Sequence, residues 1–178
     1  LGSRGLGDVY KRQGQTRPLV AKEEKIVITG KTPADFVSRG ITPMQSASLL
    51  LILVAGISIY GIRRGKTLWG IDLILFLVAG MAGCILAFLA LFSQHPAVSP
   101  NYILFVFHPF HLFCLPFMLS RVRKREISRY MLVNFAVLTL FIGLWTIIPQ
   151  RIPPAVLPLA LCLLIRSASN LILTYKRK

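Results

Sequence analysis

The sequence predicts an all-α membrane protein, a bundle of five transmembrane helices with a periplasmic N-terminus and a cytoplasmic C-terminus. Three observations carry that prediction. The 178 residues are 54% hydrophobic, with a mean hydropathy of +0.66. They nevertheless hold 21 Lys and Arg against 6 Asp and Glu, a formal charge of +15. The basic residues gather in short segments between long apolar runs, alternating with segments that are nearly neutral. A soluble domain this apolar would aggregate, whereas a chain both oily and basic fits a membrane protein whose Lys and Arg are confined to loops. The charge does not point to nucleic acid, because no basic run is interleaved with stacking aromatics on a polar face.

The first element is foreign in character. "SRGLGDVYKRQ", residues 3–13, resembles the translated read-through of a transposase sequencing adapter. Residues 1–13 are therefore expected to lie outside the natural protein, like a cloning scar. Losing Arg4, Lys11, Arg12 and Asp8 with them leaves the chain strongly basic. The reading frame is then expected to be cut, with Gly14 no natural start.

Residues 14–42 are polar and read as the end of a truncated periplasmic domain plus a linker. "PLVAKEEKIVITG" alternates weakly and reads as a strand closing on a turn at Gly30. "KTPADFVSRGITP" follows as the linker.

Residues 43–178 form the membrane domain. Five apolar runs, about 43–62, 68–92, 102–119, 130–148 and 154–174, are each long enough to cross about 30 Å of hydrocarbon. In lipid each backbone group must be paired within its own segment, so runs of this length predict helices. No internal repeat is visible, which weighs against an inverted-repeat transporter.

Charge sets the orientation. "RRGK" follows the first run, "RVRKREISR" follows the third, and "KRK" ends the chain. The alternate loops, "SQHPAVSPN" and "QRIPP", hold only Arg151. Short loops rich in Lys and Arg stay in the cytoplasm, which places the N-terminal part outside and the C-terminus in the cytoplasm. Trp69, Tyr102, Tyr130, Trp145 and Tyr175 fall near the expected interfaces, as an aromatic belt would.

Polar residues inside the runs are the candidate functional positions, because lipid penalises them. Asp72 lies about one turn into the second run from the cytoplasmic side and is the only acid in any run. Arg166 lies near mid-depth in the fifth. A carboxylate and a guanidinium are each costly alone and tolerable as a hydrogen-bonded pair. They are a candidate intramembrane ion pair, with snorkelling of Arg166 or a substrate role as alternatives. Ala79, Gly83 and Ala87, spaced by four, would let another helix approach closely.

The densest polar stretch is "SQHPAVSPNYILFVFHPFHLFCLP". Ser93, His95, Asn101, His108 and His111 form a candidate polar site on the outer face. His108 and His111, three apart, would share one helix face about two turns below the outer surface. Pro109 and Pro116 would kink or break this span. No acid lies near the histidines, so no metal site is read there. Cys84, Cys114 and Cys162 lie in apolar runs without a CxxC pair and read as small buried hydrophobes. No cofactor is implied.

These motifs carry a family resemblance. "SQHPAVSPNYILFVFHPFHLF" resembles the pattern "S-x-H-P … N-x-N-L-L-x-x-x-P-x-H-L" of a five-helix membrane domain in Bacteroidetes proteins. There the domain follows a periplasmic one once known only as DUF4105. "WGIDLILFLVAGMAGCILAFLALFSQHP" fits the same family, with its Asp one turn in and a Gly-rich run ending at Ser-x-His-Pro. The resemblance is to the Lnb-type lipoprotein N-acyltransferases and covers about residues 37–178. It makes Asp72, Ser93, His95, Pro96, Asn101, Pro109 and His111 the family-like positions. Tyr102 and Ile103 stand where a second Asn falls, and His108 replaces an Asn expected before Pro109.

The resemblance implies transfer of an acyl chain to the N-terminal amine of a lipid-modified cysteine on bacterial lipoproteins. A cysteine and a histidine of the periplasmic domain would run the reaction, and no catalytic residue is placed in this chain. The partners implied are membrane lipid, lipid-modified lipoproteins and the periplasmic domain. The membrane domain would hold lipid-anchored donor and acceptor beneath that domain. A non-catalytic anchor or sensor and a small transporter subunit are the alternatives.

Overall fold

The computed structural model describes residues 9–12, 15–18, 40–92 and 101–176. The chain divides into two compact units, residues 1–39 and 40–178.

In the first unit, β1 (Val9–Arg12) and β2 (Gln15–Pro18) pair antiparallel, with Val9 opposite Pro18 and Arg12 opposite Gln15. Val9, Tyr10 and Thr16 are favourable strand residues. The sequence reading placed no strand here, and a two-stranded hairpin alone is marginal in water. The strand expected up to Gly30 falls outside the described residues.

The second unit is all helical among its described residues. Helix α1 (Pro43–Arg64) starts on a capping box. The Gln45 amide donates to Thr42 Oγ1 at 3.2 Å, and the Thr42 amide donates to Gln45 Oε1 at 2.9 Å. Pro43 sits at the first helical position, where its missing N–H leaves no bond unmade. The helix stops at Gly65, whose φ of 61° is the left-handed conformation that glycine adopts freely. Helix α2 (Trp69–Phe92) follows after a short loop. Helix α6 (Val156–Tyr175) begins just past Pro153 and Pro154, with Pro158 still in its first turn. These three helices, of 22, 24 and 20 residues, are long and apolar enough to cross a membrane.

The third apolar run is broken. It comprises a 3-10 turn (Tyr102–Phe105), a four-residue helix α3 (Phe110–Phe113) and helix α4 (Leu115–Lys124). The chain bends by 78° between Phe113 and Leu115. Pro109 and Pro116 explain the breaks, since neither can donate a backbone hydrogen bond and each ring crowds the preceding turn. The pair counts as a fourth span if taken together.

The fourth run is shorter as a helix than the sequence predicts. Helix α5 (Arg129–Gly143) has 15 residues, and the run expected to 148 continues as hydrogen-bonded turns. There the amides of Leu144 and Ile148 donate to Leu140 and Leu144 carbonyls at 2.9 and 3.1 Å. Backbone pairing thus persists beyond the regular helix, as an apolar surrounding demands.

Helix α6 packs along both α1 and α5, while α2 carries the broken segment and α4. The core joins Phe76 of α2, Val106, Met118 of α4, Met131 and Leu138 of α5, and Leu163 of α6. Many large apolar side chains point outward, among them Ile52, Ile85, Phe88, Phe117 and Leu140. An exposed apolar belt of this extent is what a lipid-facing surface requires.

The basic loops meet at one end of the unit. Arg125, itself left-handed at φ 53°, caps α4 and donates from its guanidinium to the Gly65 carbonyl. The Arg123 guanidinium lies 4.8 Å from the centre of the Trp69 ring. At the other end the Tyr102 amide donates to Gln150 Oε1 at 2.7 Å, tying the 3-10 turn to the segment before α6. The alternation of charge along the chain is thus a separation of charge between two ends of the bundle.

Candidate functional site

Two buried polar centres sit inside the bundle. The first joins α1, α2 and α6. Arg166 donates from Nε to Asp72 Oδ1 at 2.7 Å and from Nη2 to Asp72 Oδ2 at 3.0 Å. Its Nη1 donates to Ser58 Oγ at 3.0 Å. Asn170, one turn beyond Arg166, donates from Nδ2 to Asp72 Oδ2 at 3.0 Å. Asp72 and Arg166 are 0% and 1% exposed, so both are pairing partners rather than snorkelling groups. The sequence reading missed Ser58 and Asn170. The four-residue spacing of Arg166 and Asn170 was the available signal, since it puts both on one face.

The second centre joins the broken segment to α5. His111 is fully buried. Its Nε2 lies 2.8 Å from the Val106 carbonyl, and its Nδ1 lies 2.6 Å from the Tyr130 hydroxyl. A carbonyl only accepts, so Nε2 carries the proton. Nδ1 of the neutral ring then accepts from Tyr130. The His108 ring stacks on His111 with centroids 3.8 Å apart and planes at 18°. Phe76 closes the group edge-on, 5.2 Å from His111. Asn134 lies beside His108 and donates from Nδ2 to Ser167 Oγ at 2.9 Å, linking α5 to α6. His108 Nδ1 and Asn134 Oδ1 are buried without a hydrogen-bond partner among the described residues.

Two glycines of α2 let the histidine segment approach closely. A Cβ on Gly80 would meet the Leu112 amide nitrogen at 2.6 Å, and one on Gly83 would meet His108 backbone at 2.6 and 2.8 Å. The backbone at His108 and Leu112 therefore packs directly on α2 at Gly83 and Gly80. His108 and His111 share no continuous helix face, because the break at Pro109 lies between them. The close approach along α2 comes from Gly80 and Gly83, and what approaches is broken backbone rather than a straight helix. Tyr130, expected as an interface aromatic, is the partner of His111.

The remaining expected site residues are not brought to the histidines. Asn101 caps the 3-10 turn, its Oδ1 accepting from the Ile103 amide at 3.1 Å. Ser93 and His95 lie outside the described residues. No group of three or more His, Cys, Asp or Glu that could hold a metal occurs among the described residues. Cys84, Cys114 and Cys162 are free thiols.

Between α1, α2, α6 and Phe107 lies a cavity of about 370 Å³. Its walls are apolar, with Leu50, Val78, Ala82, Phe107, Leu159 and Cys162 among them. A second apolar cavity of about 270 Å³ lies between the 3-10 turn and α5.

No curated protein and no solved structure matches the chain. The Lnb transmembrane domain, by contrast, matches residues 35–178, which take in every helix described above. With its broken third segment, apolar belt and matched motifs accounted for together, the chain belongs to the Lnb transmembrane domain family and is a multi-pass membrane protein.

Proposed function

We propose that this domain serves a bacterial lipoprotein N-acyltransferase of the inner membrane. It holds the lipid-anchored donor and acceptor while a periplasmic Cys/His domain performs the acyl transfer. The observation that supports this reading is the apolar cavity between α1, α2, α6 and Phe107. Its volume of about 370 Å³ falls in the ~300–1,000 Å³ range of small-molecule sites. Its lining has almost no polar atom, which suits a hydrocarbon chain and little else.

The wall at Phe107 adjoins His108, where the backbone has left regular helix. Broken backbone at membrane depth is tolerated where protein buries it or where it lines a cavity. The chemistry this arrangement offers is positioning: a chain held in the groove fixes where its head group emerges. The Asp72–Arg166 pair does not favour a transport pathway, because each carboxylate oxygen is occupied and neither side chain is open.

Complementation tests the proposal. The full-length gene containing this segment is placed in a strain depleted of its own lipoprotein N-acyltransferase, and lipoprotein N-termini are read by mass spectrometry. The expected result is restored N-acylation, lost when residues 43–178 are exchanged for an unrelated five-helix bundle. Full activity after the exchange would instead mark the domain as a passive anchor.

A further inference from the structure

A third polar feature stands apart from the lipid groove and borders the histidine centre at Tyr130. At the basic end, the elbow between α4 and α5 encloses an open pocket of about 1,180 Å³. Arg121 and Lys124 of α4 form one wall, and Ser128, Arg129 and Tyr130 at the start of α5 form the other. Ser128 caps α5, accepting from the Met131 amide, so the positive end of a 15-residue helix opens on the pocket.

The basic residues at this end have different employments. Arg125 is bonded to the Gly65 carbonyl, Arg123 lies over Trp69, and Arg64 lies over Tyr60 at 6.0 Å. Arg121 is paired with Glu126 at 2.6 Å, but both side chains stay largely solvent-exposed. Arg129 has no ion-pair partner among the described residues and faces the pocket. The pocket therefore has three cations, one acid and a helix N-terminus.

The apolar flank decides what kind of anion fits. Phe117 lines the pocket and is 77% exposed. A free anion has no use for an exposed phenyl ring, whereas a phosphate carrying acyl chains would lay them along that flank.

We propose that the α4–α5 elbow binds the phosphate head group of an anionic phospholipid from the leaflet at the basic end. Arg129 and the α5 amides contact the phosphate, Arg121 exchanges Glu126 for it, and the acyl chains run past Phe117. The site is independent of the acyl-transfer reading, since it lies at the end opposite the Tyr102–Gln150 contact.

The test measures lipid retention and lipid-dependent thermal stability of the full chain purified in detergent, with phosphatidylglycerol and phosphatidylcholine as probes. Wild type is expected to retain phosphatidylglycerol preferentially and to gain thermal stability from it alone. R129Q should lose about fivefold in apparent affinity, and R121Q/R129Q more. R63Q/R64Q, which removes the same charge outside the pocket, should retain the preference. Equal retention of both lipids by wild type would overturn the proposal. So would equal loss in R63Q/R64Q, or displacement of the lipid by inorganic phosphate at matched concentration. Should R129Q fold poorly, the wild-type difference in stabilisation between the two lipids decides.

Discussion

Arg166 holds Asp72 through both carboxylate oxygens, at 2.7 and 3.0 Å, with neither residue more than 1% exposed. The geometry is the bidentate fork that a guanidinium makes and an ammonium does not. Removing one partner leaves the other as a lone buried charge. Asp72→Ala or Arg166→Ala is expected to cost about 3–5 kcal/mol. Arg166→Met in the Asp72→Leu background should recover much of that loss. Thermal unfolding in detergent, run as a double-mutant cycle, measures the coupling; additive losses would mean the two residues act separately.

Gly80 and Gly83 admit the backbone of the broken segment. Gly83→Ala would place a methyl 2.6 Å from the His108 carbonyl carbon, against backbone that cannot rotate away. Overpacking of this kind costs about 1–3 kcal/mol. Gly56 lies on the exposed face of α1, and a methyl added there would meet nothing within 4 Å. Gly56→Ala should therefore be neutral or stabilise by up to about 1 kcal/mol. Thermal unfolding of the two variants checks the contrast, and matched losses at positions 56 and 83 would contradict the packing described.

Tyr130→Phe removes the donor to His111 Nδ1 and leaves a buried acceptor unsatisfied. The expected loss is about 1–3 kcal/mol. Nitrogen-15 spectra of labelled histidine report the same bond directly. In the wild-type protein His111 should carry its proton on Nε2, and Tyr130→Phe should shift the Nδ1 resonance. A wild-type His111 protonated on Nδ1 alone would reverse the donor assignment.

Filling the apolar cavity separates lipid holding from folding. Ala82 lines that cavity, and Ala82→Phe would occupy part of its volume of about 370 Å³. In the complementation strain, N-acylation should fall at least about tenfold, equivalent to ~1.4 kcal/mol, while protein abundance is kept. Undiminished acylation by the Ala82→Phe variant would remove the cavity from the mechanism.

What the sequence discloses is governed by how strongly lipid penalises an error. An acid and a guanidinium within apolar runs demand a partner, so Asp72 and Arg166 could be paired across 94 residues of sequence. Ser58, Asn134 and Asn170 carry a weaker penalty and no charge, and only Asn170, one turn from Arg166, had a spacing that could have singled it out. Pro109 and Pro116 announce a broken span. The 78° bend and the packing of the segment on Gly80 and Gly83, however, are tertiary information. The stacking of His108 on His111 across the break at Pro109 is likewise tertiary information. Tyr130, in the first turn of α5, also bonds His111, a partner that its place near an expected interface did not disclose.

The Arg166–Asp72 fork also constrains how the protein can be made. Synthesis runs from N- to C-terminus, so α2 reaches the membrane carrying Asp72 while Arg166, 94 residues later, is still untranslated. Until α6 arrives, the acid has no guanidinium, and Ser58 of α1 offers only a hydroxyl. The last helix is thus a keystone, and every chain that ends before it exposes an uncompensated acid in the bilayer. Such a chain carries its own mark of incompleteness, written in the cost of an unpaired acid in lipid.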